Sequence, residues 1–134
     1  MRKILITCLL LVLSGVMAVL VNCGSSNEAN QQKIGAECTK LEDCDDDNPE
    51  TEALECILDF KGGYCGRKDC VASTDCPEGS LCADYEAGLY CFLVCTDKVQ
   101  CNQNRTLDNE SNCSSNIDPV EGGEDKLCIP PAGD

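Results

Sequence analysis

The chain has 134 residues, with 24 Asp/Glu against 10 Lys/Arg, a net charge of −14, no histidine and 14 cysteines. The acidic balance argues against nucleic acid or an anionic lipid surface as a partner, and the lack of histidine removes Ser-His-Asp and Cys-His catalysis. Cysteine at just above one residue in ten marks a disulfide scaffold.

The first element in the chain is a signal. Met1-Arg2-Lys3 is a short basic segment, and Ile4 to Val21 is an apolar run broken mildly by Thr7, Ser14 and Gly15. Residues 1–22 therefore read as a secretory signal peptide, to be set apart from the fold. The run ends Leu20-Val21-Asn22-Cys23-Gly24. This resembles the lipobox of bacterial lipoproteins, with Leu20 in the aliphatic place and Cys23 as the acylated residue. Asn22 stands where that pattern has Gly, Ala or Ser. The resemblance implies a membrane partner reached through palmitate-type acyl chains on Cys23. Gly24, rather than an inner-membrane retention aspartate, implies the outer membrane. Each buried methylene contributes about 0.8 kcal/mol, so two or more acyl chains anchor stably.

A rival cut follows Val16-Met17-Ala18 and would leave a soluble secreted protein. Cysteine parity weighs on the choice. Cutting after Ala18 removes Cys8 and leaves 13 cysteines, an odd set, whereas acylation of Cys23 leaves 12 available for bridging. Residues 23–33 read as the lipidated cysteine and a polar, flexible tether.

The remaining cysteines form three quartets. Unit one (34–66) carries Cys38, Cys44, Cys56 and Cys65; unit two (67–91) Cys70, Cys76, Cys82 and Cys91; unit three with the tail (92–134) Cys95, Cys101, Cys113 and Cys128. Each quartet opens with a C-x5-C pair. The following gaps are 11 and 8, then 5 and 8, then 11 and 14. Units one and two share Asp before the second cysteine (Asp43, Asp75) and G-x-Y-C at the end (Gly62 to Cys65, Gly88 to Cys91). Unit three has Gln100 and Lys126-Leu127 at those places and is the atypical copy.

The eight-residue gaps predict small hairpins. Cys56 to Phe60 leads out, Lys61-Gly62-Gly63 turns and Tyr64-Cys65 returns. In unit two Cys82 to Tyr85 leads out, Glu86-Ala87-Gly88 turns and Leu89-Tyr90-Cys91 returns, with glycine supplying the positive φ of a tight turn. Pro77-Glu78-Gly79 is a further turn signal. No stretch after Gly24 shows sustained helical periodicity. The expected fold is therefore small and disulfide-rich: three tandem four-cysteine mini-modules with short β-hairpins and little helix.

Only 28 of the 111 residues from Gly24 onward are non-cysteine apolar types, and the five aromatic residues are Phe60, Tyr64, Tyr85, Tyr90 and Phe92. So little apolar surface needs staples, and each disulfide supplies about 2–4 kcal/mol. Tyr64, Tyr90 and Phe92 read as a minimal core over the bridges rather than as a binding stripe. Four cysteines allow three pairings per unit. First-to-third and second-to-fourth is favoured, because both bridges then tie the C-x5-C loop to the hairpin: Cys38–Cys56, Cys44–Cys65, Cys70–Cys82, Cys76–Cys91, Cys95–Cys113 and Cys101–Cys128. Bridges between units, such as Cys65–Cys70, stay open. The string Asp75-Cys76-Pro77-x-Gly79-x-x-Cys82 with Gly88-x-Tyr90-Cys91 resembles the Dickkopf N-terminal cysteine-rich region and, more loosely, EGF-like modules. The whole Cys38–Cys128 pattern resembles Cys-rich repeats of Gram-negative lipoproteins. The resemblance implies an extracellular module and carries over no functional residue.

Other chemistry is thin. Without C-x2-C pairs or histidine, neither a structural zinc site nor a thioredoxin-like redox motif is expected, and no cofactor. Asp43-x-Asp45-x-Asp47 mimics the start of an EF-hand loop, which Cys44, Asn48 and Leu54 then break; the bland reading is an exposed acidic loop. Asn104-Arg105-Thr106, Asn109-Glu110-Ser111 and Asn112-Cys113-Ser114 are N-x-S/T sequons in a long loop. Abundant carboxylates with so little apolar cover offer no tuned acid–base pair, so no enzyme is expected. The expectation is a non-enzymatic, lipid-anchored lipoprotein of the outer membrane or cell surface, its disulfide-stapled module meeting a protein or envelope partner or serving a structural role. The alternatives are a soluble secreted Cys-rich ligand or inhibitor and a calcium-dependent adhesion module.

Overall fold

The computed structural model describes residues 33–45, 54–86 and 88–133. The signal, Cys23 and Asp47 lie outside them. Among the described residues there are six strands: β1 (Glu55–Ile57), β2 (Tyr64–Gly66), β3 (Ser80–Tyr85), β4 (Gly88–Cys95), β5 (Asn112–Ser114) and β6 (Lys126–Ile129). One α-turn, α1 (Lys98–Cys101), and 3-10 turns at Leu41–Cys44, Ser73–Asp75 and Leu107–Asn109 complete the described elements. The protein is a small disulfide-rich fold of short antiparallel sheets with little helix.

One plan repeats in all three units. The third and fourth cysteines sit directly opposite each other on paired antiparallel strands: Cys56 with Cys65, Cys82 with Cys91, and Cys113 with Cys128. A single helical turn lies between the first and second cysteines of each C-x5-C loop. The bridges run first to third and second to fourth: Cys38–Cys56, Cys44–Cys65, Cys70–Cys82, Cys76–Cys91, Cys95–Cys113 and Cys101–Cys128. Their Cα separations of 5.3–5.9 Å lie in the ordinary range. Each bridge ties loop to hairpin, the arrangement the spacing favours. Among the described residues no bridge joins two units.

The units are connected differently. Between units one and two the chain leaves β2 and turns through Asp69, whose φ is 59°. Between units two and three there is no turn, because β4 serves both. Its Gly88–Leu93 stretch pairs with β3, and Val94–Cys95 pairs with Leu127–Lys126 of β6. The resulting sheet has the order β3-β4-β6-β5, separate from the β1-β2 pair.

Turn chemistry follows the sequence in unit one, where Gly62 and Gly63 take φ of 76° and 70°. Gly79 at φ 90°, with Ser80 N–H donating to the Pro77 carbonyl at 3.0 Å, closes a type II turn. Unit two departs from expectation. Tyr85 pairs with Gly88, and the positive φ (56°) falls on Glu86 rather than on a glycine. Gly88 is needed for another reason: a Cβ there would lie 2.7 Å from Tyr90 Oη, so the tyrosine ring lies over the bare glycine.

Gly63 is the position where absence of a side chain matters most. A Cβ would come within 2.1 Å of the Cys38 carbonyl oxygen and 2.8 Å of Cys38 Sγ. Gly122 has a similar φ of 76° but nothing within 4 Å. Gly122→Ala is therefore expected to cost only the left-handed penalty of about 1–2 kcal/mol. Gly63→Ala adds a backbone collision beside the Cys38–Cys56 bridge and should sharply lower the yield of the six-bridge species in oxidative refolding. Equal refolding yields for the two variants would contradict this.

All five aromatic residues meet in one cluster. Phe60 lies 5.3–6.1 Å, centroid to centroid, from Tyr64, Tyr85, Tyr90 and Phe92. Phe92 also contacts Tyr64, Tyr85 and Tyr90. Tyr64 and Phe92 are fully buried, while Tyr85 and Tyr90 are half-buried. Tyr64 Oη donates to the Cys91 carbonyl at 3.0 Å, and its burial pushes the phenol well above its ordinary pKa. Phe60 and Tyr64 come from unit one, Tyr85 and Tyr90 from unit two, and Phe92 from the start of unit three. The minimal core is thus shared by the units.

Candidate functional site

The residue before the second cysteine has the same job in every unit. Asp43 Oδ2 accepts from Thr39 N–H (2.8 Å), Thr39 Oγ1 (3.0 Å) and Lys40 N–H (3.2 Å). Asp75 Oδ2 accepts from Val71 N–H (2.8 Å) and Ala72 N–H (3.0 Å). Gln100 Oε1 accepts from Thr96 N–H (2.7 Å), Thr96 Oγ1 (3.1 Å) and Asp97 N–H (3.4 Å). The feature that makes unit three look degenerate in sequence is a neutral acceptor doing the same work. Asp43 Oδ2 is thereby engaged in closing its loop, and the Asp45 carbonyl accepts from Lys33 Nζ at 2.9 Å. Among the described residues, the groups close enough to share one metal ion are the cysteine triplets, whose sulfurs are all in bridges.

A pH dependence follows. Backbone N–H donation from Thr39 holds the Asp43 carboxyl below its ordinary value, and donation from Val71 does the same for Asp75. A lowered folded pKa contributes stability above the unfolded value of about 3.9, and that stability is lost as pH falls through the folded pKa. Asp43→Asn with Asp75→Asn keeps an acceptor oxygen but cannot titrate. The double variant is expected to show a smaller drop in thermal midpoint between pH 6 and pH 2 than the parent. An unchanged drop would show that these two carboxylates do not matter.

Unit three supplies the contacts that close the molecule. Arg105, half-buried, donates from Nε to the Asn109 carbonyl (2.7 Å), from Nη1 to those of Gly35 and Gly63 (both 3.0 Å), and from Nη2 to that of Lys61 (2.9 Å). Three of those four carbonyls belong to unit one. The planar fork of arginine suits such a set, and lysine would not reproduce it. Burial lowers the Arg105 pKa, opposed by the nearby Glu37 charge. Burial also pushes the Glu37 carboxyl up, but hydrogen bonds from Thr106 (N–H 2.6 Å, Oγ1 2.8 Å) and the Arg105 charge outweigh it, leaving the group below its ordinary range. The tail adds Lys61 N–H to the Pro131 carbonyl (3.0 Å) and Gly133 N–H to the Asp59 carbonyl (2.9 Å). Toward unit two, Val120 N–H donates to the Cys82 carbonyl (2.8 Å) and Ser73 N–H to Glu121 Oε2 (3.1 Å).

On the outer side of this clasp lies an open groove of about 320 Å³, with Lys98, Val99, Asn102, Arg105, Leu107 and Glu110 among its walls. Lys98 and Glu110 form an ion pair across it. Val99 is 76% exposed and Leu107 87% exposed, two of the six large apolar side chains that the described residues hold out to water.

No family model matches this chain, and neither the curated proteins nor the solved structures contain a significant match to it. The site therefore rests on its own geometry. Because Val99 and Leu107 contribute almost no burial, Val99→Ser with Leu107→Ser should leave stability within about 0.5 kcal/mol of the parent. A urea midpoint shift equivalent to more than about 1 kcal/mol would mean that the pair supports the fold instead. Sequence reasoning passed over Arg105, Val99 and Leu107. The signal that marked this region was the run of N-x-S/T sequons in its long loop. Of the sequons, Thr106 Oγ1 is engaged by Glu37 and Ser111 is buried.

Proposed function

We propose that this protein is a non-enzymatic lipoprotein, anchored at the outer membrane or cell surface through acylated Cys23, that presents a disulfide-stapled interaction module. The observation that carries the reading is cysteine pairing. The twelve cysteines from Cys38 to Cys128 pair among themselves, which leaves Cys23, placed three residues after Leu20, outside that bridge network. Six bridges also call for an oxidising compartment. No helix among the described residues is long and apolar enough to cross a membrane. In this reading the polar segment to Lys33 spaces the folded part from the bilayer, and the unit-three groove, with Val99 and Leu107 on its rim, is the surface offered to a protein or envelope partner.

Intact mass of the natively produced protein tests the anchor. The expected species begins at Cys23, carries acyl mass, and gains twelve hydrogens on reduction. Cys23→Ala should move the protein from the membrane fraction to the soluble one. A chain beginning at Val19 without lipid would overturn the anchor and leave the soluble secreted reading in its place.

A further inference from the structure

We propose that each quartet is built for thiol-triggered disulfide exchange, in which a small organic thiol interconverts the loop-to-hairpin bridges and a local set, first to second and third to fourth, and is itself released unchanged. Three observations carry this. In every unit the sulfurs of the first, second and third cysteines all lie within 4.8 Å of one another: Cys38, Cys44 and Cys56; Cys70, Cys76 and Cys82; Cys95, Cys101 and Cys113. The third and fourth cysteines are direct cross-strand partners, a position whose Cα spacing of about 4.5–5.5 Å suits a bridge. One cysteine in each triplet, namely Cys56, Cys76 and Cys113, is half-buried while the other two are buried, so it is the residue of its triplet least shielded from a thiol in solution.

The chemistry balances without an oxidant or a reductant. In unit one the small thiolate attacks Cys56 Sγ, forms a mixed disulfide there and expels Cys38 as thiolate. Cys38 attacks Cys44 Sγ, forming Cys38–Cys44 and expelling Cys65. Cys65 attacks Cys56 from the opposite strand, forms Cys56–Cys65 and returns the small thiolate. Unit three follows the same course from Cys113. In unit two the half-buried cysteine is Cys76, so the order reverses. Attack expels Cys91, which attacks its cross-strand partner Cys82; the freed Cys70 then attacks Cys76 and regenerates the thiol. Two bridges exist in each unit before and after.

The consequence is mechanical. After exchange no bridge ties the C-x5-C loop to the hairpin, and the new closed loops are shorter, so they constrain the open chain less. An oxidised envelope protein would then carry a fold that a passing thiol loosens unit by unit.

The test uses the full oxidised protein with reduced glutathione at one fifth of its molar concentration, in mild denaturant. The reaction is quenched in acid, and bridges are mapped after cleavage at Lys, Arg and Glu, which separates all four cysteines of unit one. The expected result is Cys38–Cys44 together with Cys56–Cys65, and their counterparts, at a constant free-thiol titre. In Cys70→Ser with Cys82→Ser, local bridges should persist in units one and three and be lost from unit two. Native bridges alone at all times, bridges between units, or thiol consumed in proportion to reduced cysteine pairs would each overturn the proposal.

Discussion

Phe92→Ala is expected to destabilise the protein by about 3–5 kcal/mol, the usual cost of deleting a fully buried phenylalanine side chain. The ring is completely buried and contacts Phe60, Tyr64, Tyr85 and Tyr90 at centroid distances of 5.6–6.1 Å. Aromatic pairs in tilted and edge-on arrangements contribute beyond the area they bury. The loss also falls where nothing covalent can offset it. Every bridge among the described residues lies inside one unit, so the three units are held to one another by this cluster, by the Arg105 clasp, by the tail and, between units two and three, by the shared strand β4. The expected picture is units that keep their bridges while losing their mutual packing. Near-ultraviolet circular dichroism should collapse at a lower urea concentration, while intact mass still shows six bridges. A midpoint within about 1 kcal/mol of the parent would mean that the aromatic cluster is not what joins the units.

Removing the bridge that closes the longest loop should be the second large effect. Cys101–Cys128 spans 27 residues, against 12 for Cys70–Cys82. Chain entropy in the unfolded state gives about 3.6 kcal/mol for the longer loop and about 2.8 kcal/mol for the shorter. The structure enlarges the difference. Between Cys101 and Cys128 lie Arg105 and Thr106, which hold unit one, and Val120 and Glu121, which hold unit two. Releasing this loop frees Val120 and Glu121 and leaves Arg105 and Thr106 closed only by Cys95–Cys113. Cys101→Ala with Cys128→Ala is therefore expected to lower the thermal midpoint more than Cys70→Ala with Cys82→Ala. The opposite order would show that the unit-three loops do not act as a clasp.

Much of the covalent plan is legible in the residue order. The C-x5-C openings, the eight-residue gaps and the G-x-Y-C returns mark local closed loops. Local loops need only nearby residues to define them, so the bridges could be placed by asking which pairing ties loop to hairpin. Gly62, Gly63 and the Pro77-Glu78-Gly79 turn were readable for the same reason, since turn chemistry is set within three or four residues. Glu86 was not, because Gly88 beside it is demanded by the Tyr90 ring rather than by the turn.

Unit three shows the limit. In the sequence its gaps of 11 and 14 and its Gln100 look like decay of the repeat. In the fold Gln100 closes its loop as Asp43 and Asp75 do, and the extra residues are what reach across to the other units. Arg105 reads as the middle of a sequon, and nothing near it in the chain names Gly35, Lys61 or Gly63 as its partners.

The sequence by itself determined three cysteine quartets and favoured bridges within each, because these depend on cysteine spacing over short loops. Tertiary structure alone decided that the units share one aromatic core, that β4 belongs to two of them, and that the irregular third unit fastens the first and second. Those contacts join residues far apart in the chain, 70 positions in the case of Arg105 and Gly35, and no local spacing or periodicity encodes which distant surfaces will meet.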